Sequence, residues 1–297
     1  MTGNIQVRGA ATHAPGSESA AGIERALARR LRGVRVATTG HALLAFTLIG
    51  IGITGLVVLP HFASIWQSVP HGVPLRGALA CLCAMLSLAC GAGLLFERSA
   101  AAASRVLFGS LLSWLLLVKG FYIATSPTVE GSYQSAGETA VLVAGAWVLY
   151  AWFAAGWDLT HMSFAVCARG VRLARDLYAL ALIAFGLSHF AYLNLTAPLV
   201  PAWLPAHVFW AYFTGSAYLA AAAALLTGVL ARLAAALSAL QMGLFTALVW
   251  MPLAAAGRLS SGQWSELGVS WALTAAAWVV ADSFRGTPWL ALGGRRS

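Results

Sequence analysis

Two histidines stand at matching places in this chain and are of a type that could do chemistry. His61 and His189 each begin a His-Phe-Ala triplet, one in each half of the sequence. An imidazole can relay protons, ligate a metal or hydrogen-bond a quinone carbonyl. It can also hydrogen-bond a backbone carbonyl that nearby prolines leave unpaired at a helix end, which is a structural role. No His/Cys cluster has metal-ligand spacing, so we expect no metal site.

Lys119 is the one cation deep inside a long apolar run. Because an unpaired charge in hydrocarbon is costly, we expect a carboxylate within about 4 Å of its ammonium. Glu138 begins the next apolar segment on the same side and is the first choice, ahead of Glu130 in the connecting loop. A Lys119–Glu138 pair would either move a proton or substrate or hold two helices together.

The composition excludes a water-soluble protein. The chain has 297 residues, of which 60% are apolar and 9% charged, whereas a soluble domain is roughly 45–50% apolar and about 25% charged. The net charge of +9 is spread between apolar runs and is not clustered with aromatic residues, which argues against a nucleic-acid partner. The fold class is therefore an all-α polytopic membrane protein, with the lipid bilayer as its partner.

Eight apolar segments are long enough to cross about 30 Å of hydrocarbon. Of the 18 basic residues, 15 fall on one side of the resulting topology, which places both termini in the cytoplasm. The excess of Arg over Lys and the many alanines suggest a bacterial genome rich in G and C, so the location that we expect for this multi-pass protein is the bacterial inner membrane. The predicted spans are about 41–59, 76–96, 104–125, 137–156, 174–193, 207–227, 231–251 and 265–282.

The two halves of the chain carry the same proline motif after the histidine triplet. Pro70 and Pro74 in the first half, and Pro201 and Pro205 in the second, belong to Val-Pro-x-x-[Val/Leu]-Pro. Proline cannot continue a helix, so the motif predicts a rigid, extended cap after the first helix of each half. Because each unit has four helices, we expect eight transmembrane helices arranged as two parallel-topology four-helix repeats.

These observations divide the chain into five parts. The predicted parts are a disordered, basic and amphipathic cytoplasmic arm (1–36), a first four-helix membrane repeat (37–157), a cytoplasmic linker (158–173), a second four-helix repeat (174–284) and a cytoplasmic tail (285–297).

The second half resembles the DoxX-like family of four-helix membrane proteins. The resemblance is carried by Gly-Leu-Ser-His-Phe at 186–190, Val-Pro-Ala-Trp-Leu-Pro at 200–205 and Phe-Trp-Ala-Tyr-Phe-Thr-Gly at 209–215. The first half looks like a diverged copy. Members often have an acidic residue in the helix after the Tyr-x-x-Gly step, where this chain has Tyr218. The resemblance implies a membrane subunit that works with a partner subunit in quinone-linked oxidation of thiols or sulfur compounds, with His189 and His61 near the quinone head group.

Two functions of other classes stay open beside this one. The first is a small-molecule or ion carrier with a site between the repeats, in which Lys119 and Glu138 are the coupling groups. The second is a structural or assembly protein without a substrate. A deep polar cavity would favour the carrier, a lipid-facing slot near His189 would favour quinone binding, and a closed apolar bundle would favour the assembly protein.

Overall fold

The protein is an all-helical bundle in its computed structural model, which describes residues 36–57 and 75–292. Eight long helices and two short ones follow one another in these ranges. They are α1 (Thr39–Val57), α2 (Arg76–Leu94), α3 (Ala100–Thr125), α4 (Glu130–Phe153), the short α5 (Trp157–His161), α6 (Cys167–Ala191), the short α7 (Leu193–Thr196), α8 (His207–Thr227), α9 (Ala231–Ala255) and α10 (Ser261–Ser283).

Six of the described helices are long and apolar enough to cross a membrane, namely α1, α2, α3, α4, α8 and α9. The segment Leu193–Leu199 follows α6 at an angle of 87°. If α6 and this segment are counted together as one bent span, they form a seventh span. The eighth predicted span coincides with α10, which has 23 residues but carries Gln263, Glu266 and Asp282 and is less apolar. The structure thus supports a multi-pass membrane protein with six or seven apolar spans in its described part.

The long helices run between two ends of the bundle. One end, here called the arginine-rich end, contains the starts of α1, α3, α6 and α9 and the ends of α2, α4, α8 and α10. Hydrogen bonds between helix ends show that these termini lie together. Gly40 at the start of α1 donates its N–H to Asp282 at the end of α10, and Arg175 on α6 donates to the Ser283 carbonyl. Seven of the ten basic residues in the described ranges lie there: Arg98, Arg105, Arg169, Arg172, Arg175, Arg232 and Arg285.

The helices α4 and α10 form the centre of the bundle. They pack against each other where a Cβ on Gly145 would lie 2.8 Å from the Cβ of Ala276. On its other sides α4 contacts α3 and α6, and α10 contacts α1 and α9. Small residues allow this close approach, since without a hydrophobic driving force helices in lipid associate through tight van der Waals contact.

Several local features of the first half recur in the second half at one constant interval, here called the repeat interval. It is the number of residues that separates Leu75 from Ala206. Both residues lie directly before a helix and adopt positive φ, at 60° and 57°. The same interval separates the π-helical turn that interrupts α3 at Leu115–Lys119 from the one that interrupts α9 at Thr246–Trp250. It also separates Gly145 from Ala276, two residues that are themselves in contact.

Three segments predicted from the sequence are described by the structure to different extents. The linker predicted at 158–173 contains α5, and α6 already begins at Cys167. The tail predicted at 285–297 is packed as far as residue 292, because Leu230 donates its N–H to the Ala291 carbonyl. The arm predicted at 1–36 lies outside the described residues except for Val36.

Candidate functional site

His189 lies in the last turn of α6 and is half-buried. Its Nδ1 donates to the Phe185 carbonyl at 2.7 Å, and its ring centroid is 5.7 Å from that of Tyr218. A ring that donates through Nδ1 has Nε2 as an acceptor when it is neutral. The acceptor is a carbonyl within α6, four residues before His189, and not one that the prolines after the helix leave unpaired. The repeat partner predicted for it, His61, lies outside the described residues.

The proline motif is described only in its second copy, because Pro70 and Pro74 lie outside the described residues. Around Pro201 and Pro205 the chain is not helical, as expected. It is not fully extended, however, because the Leu204 N–H donates to the Pro201 carbonyl at 2.9 Å and closes a turn. Pro201 has no N–H to donate, but its carbonyl is free to accept, and the tight turn uses it.

Lys119 is buried at the end of the π-helical turn of α3, with 3% of its surface exposed. Its Nζ donates to Ser135 Oγ on α4 at 2.6 Å. Glu138 is on the same helix, one turn after Ser135, and interacts electrostatically with the ammonium. A serine hydroxyl therefore mediates between the two helices, and a direct Lys119–Glu138 contact within about 4 Å stays a prediction.

The π-helical turn explains why a lysine can point inward at this position. A π turn inserts one extra residue and rotates the following side chains, and such turns are frequent at functional sites. The corresponding turn of α9 ends in Trp250, whose indole nitrogen is buried without a hydrogen-bond partner in the described part of the chain. The charge is therefore present in only one of the two turns.

We expect Lys119→Met to lower the free energy of unfolding by about 1–2 kcal/mol, because a charge-assisted hydrogen bond to Ser135 is lost. The double change Lys119→Met with Glu138→Gln should recover part of this loss, since the carboxylate is then no longer charged in apolar surroundings. Chemical unfolding of the purified protein in detergent measures both values. Arg258→Met, at an exposed cation, is the matched control. Strictly additive losses would mean that Lys119 and Glu138 do not interact.

Glu130 is a functional candidate that sequence reasoning undervalues. The apolar pattern places it in a loop, but it is the first residue of α4. Both of its carboxylate oxygens are buried, and neither has a hydrogen-bond partner among the described residues. Taking such a group out of water without a partner is unfavourable. A ligand that hydrogen-bonds this carboxyl group would remove that cost.

The Glu130 groove is the cavity of about 380 Å³ next to this carboxyl group, between the start of α4 and the middle of α6. Its walls are apolar on the α6 side and polar on the α4 side. Two hydrogen bonds hold the polar side in place, from the Gly131 N–H to the Tyr192 hydroxyl and from the Tyr133 hydroxyl to the Pro127 carbonyl. The lining residues are Thr128, Glu130, Tyr133, Leu180, Ile183, Ala184 and Leu187.

His41 and Asp158 are buried polar residues with complete sets of partners. The His41 ring, which is fully buried, accepts from the Ala37 N–H through Nδ1 and donates through Nε2 to the Leu94 carbonyl at 3.0 Å. Asp158 accepts from the Tyr150 hydroxyl and pairs with Arg105. Because their hydrogen bonds are satisfied within the protein, we assign both residues to structure and not to ligand binding.

The described residues thus present one buried cation, at Lys119, and one buried carboxyl group without a partner, at Glu130. In the same ranges no three His, Cys, Asp or Glu side chains lie close enough together to hold a metal ion. The four cysteines are free thiols. The chain matches no protein-family model, no curated protein and no solved structure.

Proposed function

We propose that this chain is a multi-pass membrane protein that binds a lipid-soluble quinone in the Glu130 groove. In line with its resemblance to the DoxX-like family, it would act as a membrane subunit in quinone-linked oxidation of thiols or sulfur compounds. The observation that carries the proposal is the Glu130 carboxyl group, buried without a partner among the described residues and beside an apolar groove.

The position of the groove supports a ligand that arrives from the lipid. Leu180 and Leu187 line it and are exposed on the surface of α6. A molecule dissolved in the bilayer could enter sideways, without crossing the polar ends of the helices. The sequence-based hypothesis expects a lipid-facing slot near His189, whereas the polar residues that line this groove are Thr128, Glu130 and Tyr133.

The residues present fit a quinone head group. A cavity of about 380 Å³ is within the usual range for small-molecule sites. The side chains of Ile183 and Ala184 offer an apolar wall for a flat ring. The Thr128 hydroxyl, and the Glu130 carboxyl group in its protonated form, can donate hydrogen bonds to the quinone oxygens. A quinone held there would supply two-electron, two-proton redox chemistry, with both electrons and protons released by oxidation of the thiol substrate to a disulfide. The electrons would come by way of the partner subunit that the resemblance implies.

The architecture that we propose has two four-helix repeats with parallel topology. The features that recur at the repeat interval support it, and so does the contact between Gly145 and Ala276, which would lie on the axis relating the halves. In this arrangement α10 is the eighth span. The positive-inside rule then places the arginine-rich end in the cytoplasm of a bacterial cell, as expected for an inner-membrane protein.

A second candidate function is a small-molecule or ion carrier. Its support is the burial of Lys119 and the contact of its ammonium with Ser135. A charged group inside a membrane protein commonly marks a path for protons or substrates. In that function Lys119 and Glu138 would be the coupling groups, between the two repeats.

Binding of a short-chain benzoquinone to the purified protein in detergent tests the proposed function. We expect Glu130→Ala to weaken binding about tenfold, since one hydrogen bond to the ligand is lost. Leu187→Trp should weaken it as well by filling the groove. Equilibrium dialysis gives the dissociation constants.

Two matched variants show whether the effect is local. Glu97→Gln changes an exposed acid at the arginine-rich end, and Leu240→Trp enlarges an exposed apolar side chain on α9. Both should bind the quinone as the unmodified chain does. Equal binding by the Glu130 and Leu187 variants would contradict the proposal, as would the absence of binding to the unmodified chain.

A further inference from the structure

A second cavity, here called the arginine groove, opens at the arginine-rich end between α1, α9 and α10. Its volume is about 210 Å³. Two arginines, two tryptophans and one aspartate line it together with small residues. The lining residues are Thr39, Arg232, Ala236, Trp278, Ala281, Asp282, Arg285 and Trp289.

Arg232 is held in place by contacts that leave much of its guanidinium group available. Its guanidinium carbon is 4.0 Å from the centre of the Trp289 ring, and Nη1 donates to the Thr287 carbonyl at 2.8 Å. Stacking and one hydrogen bond fix the plane of the group. Its remaining N–H donors have no partner in the described part of the chain, so they can bind an anion.

Arg285 is oriented by Asp282. Its Nη2 lies 2.9 Å from Asp282 Oδ1 and also contacts Thr39 Oγ1 at 3.3 Å. The other carboxylate oxygen of Asp282 accepts from the Gly40 N–H at 2.8 Å. The groove thus contains one carboxylate and two guanidinium groups, which leaves it with an excess of one positive charge.

The surroundings of the groove suit the boundary between lipid and water. Trp278 is 37% exposed and Trp289 49% exposed, and tryptophan is enriched at this depth of a membrane. The small side chains of Ala236 and Ala281 leave space on the apolar side. Basic pockets between helices on the cytoplasmic side of membrane proteins bind acidic lipid head groups.

We propose that the arginine groove binds the phosphate group of an anionic phospholipid, with Arg232 and Arg285 as its ligands and the acyl chains lying along α9 and α10. The two guanidinium groups supply planar donors for the phosphate oxygens, and the indole rings of Trp278 and Trp289 border the glycerol region. This site lies at the end of the bundle opposite the Glu130 groove and does not depend on the function proposed above.

The position in the first half that corresponds to the arginine groove is filled by protein. This difference between the halves supports a ligand in the open groove of the second half. Trp147 corresponds to Trp278 at the repeat interval, and its Nε1 donates to the Ala165 carbonyl at 2.7 Å. The segment around α5 covers that indole, and Arg105 is paired there with Asp158. In the second half the Trp278 Nε1 donates to Thr39 Oγ1 at 3.2 Å at the start of α1, but the indole stays 37% exposed, so the basic groove remains open for a ligand.

The test compares two lipids added to the full-length protein in a neutral detergent. Phosphatidylglycerol carries a net negative charge, and phosphatidylcholine with the same acyl chains carries none. We expect phosphatidylglycerol to raise the apparent unfolding temperature by several degrees more than phosphatidylcholine, since a ligand that binds only the folded state stabilises it. In Arg232→Gln with Arg285→Gln the phosphatidylglycerol affinity should fall at least about tenfold.

Control experiments distinguish binding of the whole lipid in the groove from a general effect of negative charge. Arg98→Gln removes an exposed arginine from the same end and should keep the full response. Inorganic phosphate alone should give a much smaller shift, and a shift equal to that of phosphatidylglycerol would overturn the lipid assignment. If the double variant does not fold, Ala236→Trp fills the groove and leaves both arginines in place. An unchanged preference for phosphatidylglycerol in either groove variant would overturn the proposal.

Discussion

Replacing Asp158 with alanine is expected to lower the free energy of unfolding by about 3 kcal/mol, at the lower end of the range for breaking a buried ion pair. The Asp158 side chain is fully buried, accepts from the Tyr150 hydroxyl at 2.9 Å and lies 3.0 Å from Arg105 Nε. Its loss leaves a buried hydroxyl group without an acceptor. We expect a loss at the lower end of the range because Arg105 is 44% exposed, so water can solvate its guanidinium group once Asp158 is removed.

Chemical unfolding in detergent measures this loss, and two further variants define its origin. Asp158→Asn keeps an acceptor for Tyr150 and should lose about half as much. Glu97→Ala removes an exposed acid from the same end and should change stability by less than about 0.5 kcal/mol. If Asp158→Ala were no more harmful than Glu97→Ala, the buried network would not contribute to stability.

The long helices could be predicted because a bilayer requires long apolar runs. Every one of the eight predicted segments overlaps a long helix of the described structure. The predicted first and last residues of the helices are less accurate than the positions of the helices, since the helices continue beyond the apolar runs into polar sequence. α4 begins at Glu130 and not near residue 137, and α6 begins at Cys167, before three arginines on its first turns. The same kind of polar residue makes α6 and α10 less apolar than the six helices that could each cross a membrane alone.

The candidate site was predicted only in part, for a related reason. Lys119 was identified because one cation in an apolar run is conspicuous, and its burial is confirmed. Its contact with Ser135 cannot be predicted in the same way, since a serine one turn before Glu138 carries no signal of its own. The Glu130 groove needs the packing of α4 on α6, which depends on tertiary structure. A carboxylate at a helix start would normally be attributed to favourable charge at the N-terminus.

The contact between α4 and α10 gives a prediction about the assembly of the two halves. A Cβ on Gly145 would lie 2.8 Å from the Ala276 Cβ and 2.9 Å from its Cα, closer than atoms in folded proteins approach. We expect Gly145→Ala to lower the free energy of unfolding by about 1–3 kcal/mol, as overpacking does. Gly145→Leu should exceed this range, because a whole branched side chain must then be accommodated between helices packed on all sides.

Two comparisons distinguish close packing from an effect on the helix itself. Gly109 lies on α3 with open space around its Cα, so Gly109→Ala should be neutral or stabilising, as alanine favours a helix. Combining Gly145→Ala with Ala276→Gly moves the methyl group from one helix to the other and should recover part of the loss. Thermal unfolding in detergent ranks the four variants. Equal losses for Gly145→Ala and Gly109→Ala, or no recovery in the double variant, would show that α4 and α10 do not meet at this point, and the axis proposed between the two halves would have to be placed elsewhere.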